Sequence, residues 1–332
     1  MLKALTDRNR HGGYQPLARL SLEESSDPKN ILYLTERRRK EWRALEPSEQ
    51  QQYIDGVLCL MRKPSISTTG STRYDDFASL HATVGPMTHY AASFLPWHRY
   101  FTHTFEKALA EECRFSGTLV YWDWTLDASN FTASPIWNSD TGFGGNGDPN
   151  LEPQMPRGNC VVDGPFANTT RTWQSDSNGH GFNLRHSPHC LSRGFLTGEK
   201  AEQLQSRVSP AALQRLLGQS SYGKLLDEVE IQTHNVIPQF VRGDFYRMTA
   251  PNDPVFYLHH TQVDRLWWLW QQQDLEARIN QYEGPKNNMR IFKNMTQVEA
   301  SLEDIVEMGG FADDILVRDL MSTQSDLLCY SY

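Results

Sequence analysis

Phe256, His260, Val263, Trp267 and Trp270 are spaced +4, +3, +4 and +3, which lays them along one apolar face of an α-helix. An imidazole in that stripe is carried into the core, where it needs a hydrogen-bond or metal partner. The pattern recurs. In a helix after Pro96, His98 shares a face with Phe101, Phe105 and Ala108, and in the helix before it His81 falls one turn after Phe77. His234 comes near the end of a helix from Tyr222 to Ile237, with Glu230 one turn earlier and Asp227 before that, and His89 sits in a short connection. One buried histidine is ordinary core chemistry, but several on several helices is how helical bundles build metal sites. Imidazole-only ligation suits copper or zinc better than magnesium or calcium. These stripes, with little strand signal, predict a mainly α fold: a helical bundle core holding the site, with long irregular loops and little β.

Composition narrows the function. Lys and Arg number 32 and Asp and Glu 40 in 332 residues, a formal charge of −8, so there is no basic stripe for a nucleic-acid partner. Mean hydropathy is −0.58, and no apolar run approaches the roughly 18 residues of a membrane helix. There is no P-loop, no G-x-G-x-x-G after a strand and no G-x-S-x-G elbow, which removes the common nucleotide and serine-hydrolase readings.

Along the chain, residues 1–34 read as an irregular N-terminal segment and 35–332 as a single domain. Ser48 to Gln51 reads as a capping box ahead of the stripe Tyr53, Ile54, Val57, Leu58 and Met61. Helices are expected over about 74–83, 96–113 and 222–237, a short one after Ser209-Pro210, and a long one from Asp253-Pro254 to about 274. Residues from about 127 to 207 are rich in Gly, Asn, Asp, Ser and Pro and read as loop, functional or tied down by crosslinks.

Of five cysteines, Cys59 and Cys113 fall in helical stretches and read as small buried hydrophobes. Cys160 and Cys190 flank a loop and can pair in an oxidising compartment. Sequons stand at Asn130, Asn168 and Asn294, while the N-terminus has no apolar signal-peptide core. The other histidines read blandly: His103 at the surface, His180, His186 and His189 in a solvated loop, His11 in a polar tail. Glu23-Glu24 and Asp313-Asp314 read as solvated faces or caps.

Two stretches go further. Phe94-Leu95-Pro96-Trp97-His98-Arg99 resembles one copper signature of the tyrosinase, catechol oxidase and hemocyanin group. Asn252-Asp253-Pro254 through His259-His260, followed by Val263-Asp264-Arg265-Leu266-Trp267, resembles the other. Tyr121-Trp122-Asp123-Trp124, Asp163-Gly164-Pro165-Phe166 and Tyr330-Ser331-Tyr332 match the same group, nearest to short fungal tyrosinase-like enzymes. The resemblance implies a type-3 dicopper oxidoreductase that uses O2 to oxidise a small phenol or catechol to a quinone, by monooxygenase or catechol oxidase chemistry. Further implied are secretion and a chain closing at the tyrosine motif with no C-terminal shielding domain. The first copper would take His81, His89 and His98; the second His234 and His260, with His259 an inner neighbour rather than a ligand. Asn235 occupies a position that orients His234 and helps deprotonate an incoming phenol.

Two positions depart from the pattern. The group carries H-x-x-x-H on the helix of the second copper, and here His234-Asn235-Val236-Ile237-Pro238 puts proline where the second imidazole belongs. In mid-helix, that proline would cost ~3 kcal/mol or more by losing a hydrogen bond and crowding the His234 carbonyl. The second site is therefore expected to be short of a ligand, with Glu230 or Asp227 placed to complete or tune it. Met87, two residues before His89, replaces the cysteine that some members link to that histidine, so no thioether is expected. The alternatives are a single-copper protein of the same fold acting on a specialised substrate, or a non-oxidase binding or cyclase role.

Overall fold

The computed structural model describes residues 37–332 except 69, 156, 176–182 and 295. The N-terminal segment, His11, Glu23-Glu24 and His180 lie outside the described residues. Helices dominate the remainder, and the histidine stripes sit on four of them. Helix α1 spans Pro47–Leu60, α2 Arg73–Thr88 and α3 Phe94–Cys113. Then come α4 Glu199–Ser206, α5 Pro210–Leu217 and α6 Tyr222–Asp227. A π-helical turn covers Glu228–His234, followed by α7 Val236–Val241 and α8 Val255–Gln272. Among the described residues no helix is long and apolar enough to cross a membrane.

Helices α3 and α8 form the centre. Phe105 stacks on Tyr257 with ring centroids 3.5 Å apart, and Phe77 of α2 meets Phe105 edge-on at 5.1 Å. The polar residues of both signatures are spent on this pairing. Arg99 Nε donates to Asp264 Oδ1 at 2.5 Å while its guanidinium lies 3.7 Å above the Trp267 ring. Tyr330 donates to Asp264 Oδ2 at 2.5 Å, and Arg39 joins the same carboxylate to Glu106. These charges are buried and paired with one another, so removing one would strand the others, at about 3–5 kcal/mol. The terminal tyrosines thus tie the chain end to α8.

The sequence misplaces several local features. Helix α1 is capped by Glu46 and Glu49, not Ser48, because Pro47 takes the first helical position. Helix α2 runs five residues past Thr83 with Pro86 inside it, so His89 is its cap rather than part of a free connection. Cys59 and Cys113 form a disulfide, not two isolated buried thiols, joining α1 to the end of α3. Cys160 and Cys190 are also bonded. The stretch read as loop contains an antiparallel hairpin, Thr170–Ser175 with Leu184–Cys190, and α4. His186 and His189 lie on its second strand, and His189 is buried against Asp244 at 2.8 Å rather than solvated. Burial of half-covered His103 pushes its ring down to about 4.

The expected 222–237 helix is broken into three pieces. Asn235 N–H reaches back to the Glu230 carbonyl, an i to i−5 bond, and the ladder restarts with Val236. Pro238 is therefore third in a new helix, where the first four N–H groups have no intrahelical partner. The mid-helix penalty expected for this proline is absent, since no hydrogen bond is lost.

Candidate metal centre

Six imidazoles meet between α2, α3, the π-turn and α8, all buried. His81, His89 and His98 each bring a ring nitrogen within 4.8 Å of the others, and so do His234, His259 and His260. The second triangle is as tight as the first: its ring centroids are 4.9, 5.1 and 4.9 Å apart, against 5.3, 5.4 and 5.0 Å. The two triads adjoin where His98 and His260 stack at 4.2 Å, 8° from parallel.

Hydrogen bonding separates them. In the first triad every Nδ1 faces a backbone carbonyl: His81 to Met248 at 2.7 Å, His89 to Gly85 at 2.7 Å and His98 to Phe94 at 2.8 Å. A carbonyl only accepts, so each Nδ1 carries the proton and each Nε2 offers a lone pair inward. Helix geometry supplies two of these locks, because Gly85 and Phe94 stand four residues before His89 and His98. Two such Nε2 atoms, of His81 and His98, lie 3.3 Å apart. With both protons committed elsewhere nothing bridges them, and a shared cation is the group that removes the repulsion. This donor set fits copper.

The second triad is less uniform. His234 Nδ1 donates to Asn235 Oδ1 at 3.2 Å, and its Nε2 lies 3.3 Å from His260 Nε2. His260 Nδ1 has no partner. His259 is the opposite case, since its Nδ1 receives the Trp124 indole N–H at 3.2 Å while its Nε2 is buried without a partner. An indole nitrogen only donates. Neutral His259 must then hold its proton on Nε2, presenting an N–H inward rather than a lone pair. Proximity alone would make it the third ligand; the indole makes it a donor.

Burial also keeps these rings neutral, as ligation requires. It pushes His81 down to about 3, His89 to about 4 and His259 to about 3. His98, His234 and His260 are driven well below the usual range, first by burial and then by neighbouring imidazoles.

The carboxylates do not join the centre. Asp227 is exposed, and Glu230 belongs to neither group of donors. Glu230 is buried, and both its oxygens accept from the Tyr90 N–H at 2.8 and 3.0 Å. Burial raises its carboxyl to about 8. Tyr90 holds a left-handed φ of 54° directly after His89, so Glu230 fixes the backbone beside the first triad rather than completing the second. Met87 is partly exposed. Sequence reasoning also missed Trp124, whose place in Tyr121-Trp122-Asp123-Trp124 was the only signal, and Phe94, whose ring packs on His89, His98 and His234 at 5.4, 4.6 and 5.0 Å.

A helical core presenting two facing histidine triads defines a dicopper protein. Residues 71–273 match the common central domain of tyrosinase, and the chain belongs to the tyrosinase family of copper oxidases. It is 49% identical over 298 residues to a tyrosinase-like protein of Diaporthe leptostromiformis, covering 89% of this chain and 77% of that one. It is 45% identical over 295 residues to a tyrosinase of Aspergillus flavus, covering 89% and 78%. A polyphenol oxidase structure from Thermothelomyces thermophila superposes with a TM-score of 0.77 at 27% identity, covering 92% of each chain. The family has a dicopper centre and acts on phenolic substrates with O2.

Proposed function

We propose that this protein oxidises a phenol or catechol to a quinone, with one copper on His81, His89 and His98 and the other on His234 and His260. The observation that supports it is the pair of Nε2–Nε2 approaches at 3.3 Å, one in each triad, joined through the stacked His98 and His260 rings. A copper pair, when bound, supplies O2 activation and accepts electrons from the phenolic ring. Two catechols and one O2 yield two quinones and two waters, so each ring releases two protons that protein groups must take up or pass on.

The chain's own residues manage orientation and protons. Asn235 accepts from His234 Nδ1 and so aims His234 Nε2 inward; half-buried, its amide is placed to hydrogen-bond an incoming phenol and to orient the water that takes the phenol's proton. His259 holds an N–H toward the second site, and Phe94 and Phe256 wall the triads against water. Pro238 leaves the second copper with two imidazole lone pairs, the atypical feature of this centre. Export is proposed too: two disulfides and exposed asparagines at all three sequons support it, and a glycosidase-sensitive mobility shift would check it.

Copper analysis and electron paramagnetic resonance test the reading together. Two coppers per chain, silent through coupling, with O2-dependent quinone formation from catechol, are expected. One copper with the signal of isolated Cu(II), and no catechol oxidation, would replace this reading with the single-copper alternative.

A further inference from the structure

Away from the histidines, a cavity of about 410 Å³ opens beside α7, lined by Arg157, Lys200, Arg207, Arg242, Gln239 and Tyr246 among others. Four of these side chains are cationic and no lining residue is acidic. Among the described residues none of the four forms an ion pair. That is a local reversal in a chain of net charge −8. Anionic ligands are repelled by such a chain except where cations are gathered, and cation-lined clefts concentrate them.

The cluster is built, not incidental. Arg157 and Arg242 both occupy left-handed backbone, at φ 63° and 61°, a conformation unfavourable to arginine. Each precedes a glycine, and those glycines lock the two segments together. A Cβ on Gly158 would stand 2.5 Å from Gly243 Cα, and one on Gly243 would stand 2.3 Å from the Ser192 carbonyl oxygen. The crossing therefore fixes both guanidinium-bearing residues at the cavity, and burial, followed by the Arg157 charge, lowers Arg242 from its ordinary value. Arg207 donates through Nη2 to the Ile231 carbonyl at 2.6 Å, while its Nε is buried without a partner. Ile231 lies in the π-turn that carries His234.

We propose that this cavity binds a multi-carboxylate group, carried by the phenolic substrate as an acidic extension. Arginine forks and a lysine suit carboxylates, and the volume exceeds what one carboxylate fills. Arg242 follows His234 by eight residues, about 12 Å along a helical path, a span that about four extended residues cover. This rests on the oxidase reading only for the phenol; the anion site stands by itself.

Calorimetry on the copper-loaded protein tests it without turnover, using acetyl-Glu-Glu-Glu-Gly-Tyr-amide against its Gln-Gln-Gln counterpart. At low ionic strength the acidic peptide is expected to bind about tenfold tighter, with the preference shrinking in high salt. Arg157→Gln with Arg242→Gln should abolish that preference, Arg157→Lys with Arg242→Lys should keep it, and copper content should stay unchanged in both. Lys200→Glu, on the exposed face of α4, should weaken it where folding is not at stake. Acetyl-Glu-Glu-Glu-amide separates the sources: weaker binding than the tyrosine peptide supports a substrate extension, whereas equal binding makes the ligand a free anion and overturns the extension. No preference for acid, or one that survives Lys200→Glu and the double glutamine variant, overturns the site. Loss of catechol oxidation with the preference intact would fail the oxidase reading alone.

Discussion

The two triads have near-equal triangles but differ in how their protons are held. Around the first, three backbone carbonyls take three Nδ1 protons, so the fold presets three inward lone pairs. Around the second, one side-chain amide orients His234, His260 Nδ1 has no partner, and an indole turns His259 into a donor. Packing alone makes a cluster; the outer hydrogen bonds decide which members can ligate. The first site is thus set by main chain, which substitution leaves in place, and the second by side chains, which evolution can change singly.

The largest expected effect is on the preset site. His98→Ala removes one of its three lone pairs and should lower copper content by about one equivalent per chain with loss of oxidase activity, read by metal analysis. Unchanged copper would refute the assignment. Next comes acid sensitivity of the metal-free protein. Buried His81, His89 and His259 have folded values of about 3, 4 and 3, far below the unfolded histidine value. The unfolded chain then binds more protons in the window between, so stability present above about pH 6.5 is lost as pH falls toward 4. Thermal melts of apo protein across that window should show a steep drop in Tm; a flat profile would mean the rings are hydrated.

Smaller effects sharpen the contrast. Pro238→His adds an imidazole to the poorer site and should tighten its copper by about tenfold, about 1.4 kcal/mol, in competition with a graded chelator. The melting temperature should barely move, because a third helical residue needs no N–H bond. Smallest, His259→Gln keeps an N–H donor and should leave copper content unchanged, while Trp124→Phe frees Nδ1 to hold the proton and should raise second-site retention a few-fold. If His259→Gln instead costs one copper, His259 is a ligand and the two triads are alike.

Much of the site was legible in the residues. Periodicity placed His81, His98 and His260 inward, because helical repeat fixes which face a residue shares with apolar neighbours. Glu230 was misread because helical spacing put it near His234, yet the π-turn changes the register there and hands the carboxylate to Tyr90. Cys59 and Cys113 gave no sign of pairing, since 54 residues separate them and only the packing of α1 on α3 brings them together. His189 looked solvated because a polar, glycine-rich composition masks a hairpin whose partner, Asp244, comes 55 residues later.

The sequence by itself determined the helical class, the inward histidines and the family, because these follow from local periodicity and contiguous motifs. Tertiary structure alone decided which nitrogen of each ring bears the proton, where Pro238 falls in its helix and that four separated cations share one cavity. Each of these depends on groups distant in the chain: a Met248 carbonyl on His81, a Trp124 indole on His259, Arg157 beside Arg242. Hydrogen-bond direction and charge clustering are properties of neighbours in space, and folding chooses those neighbours.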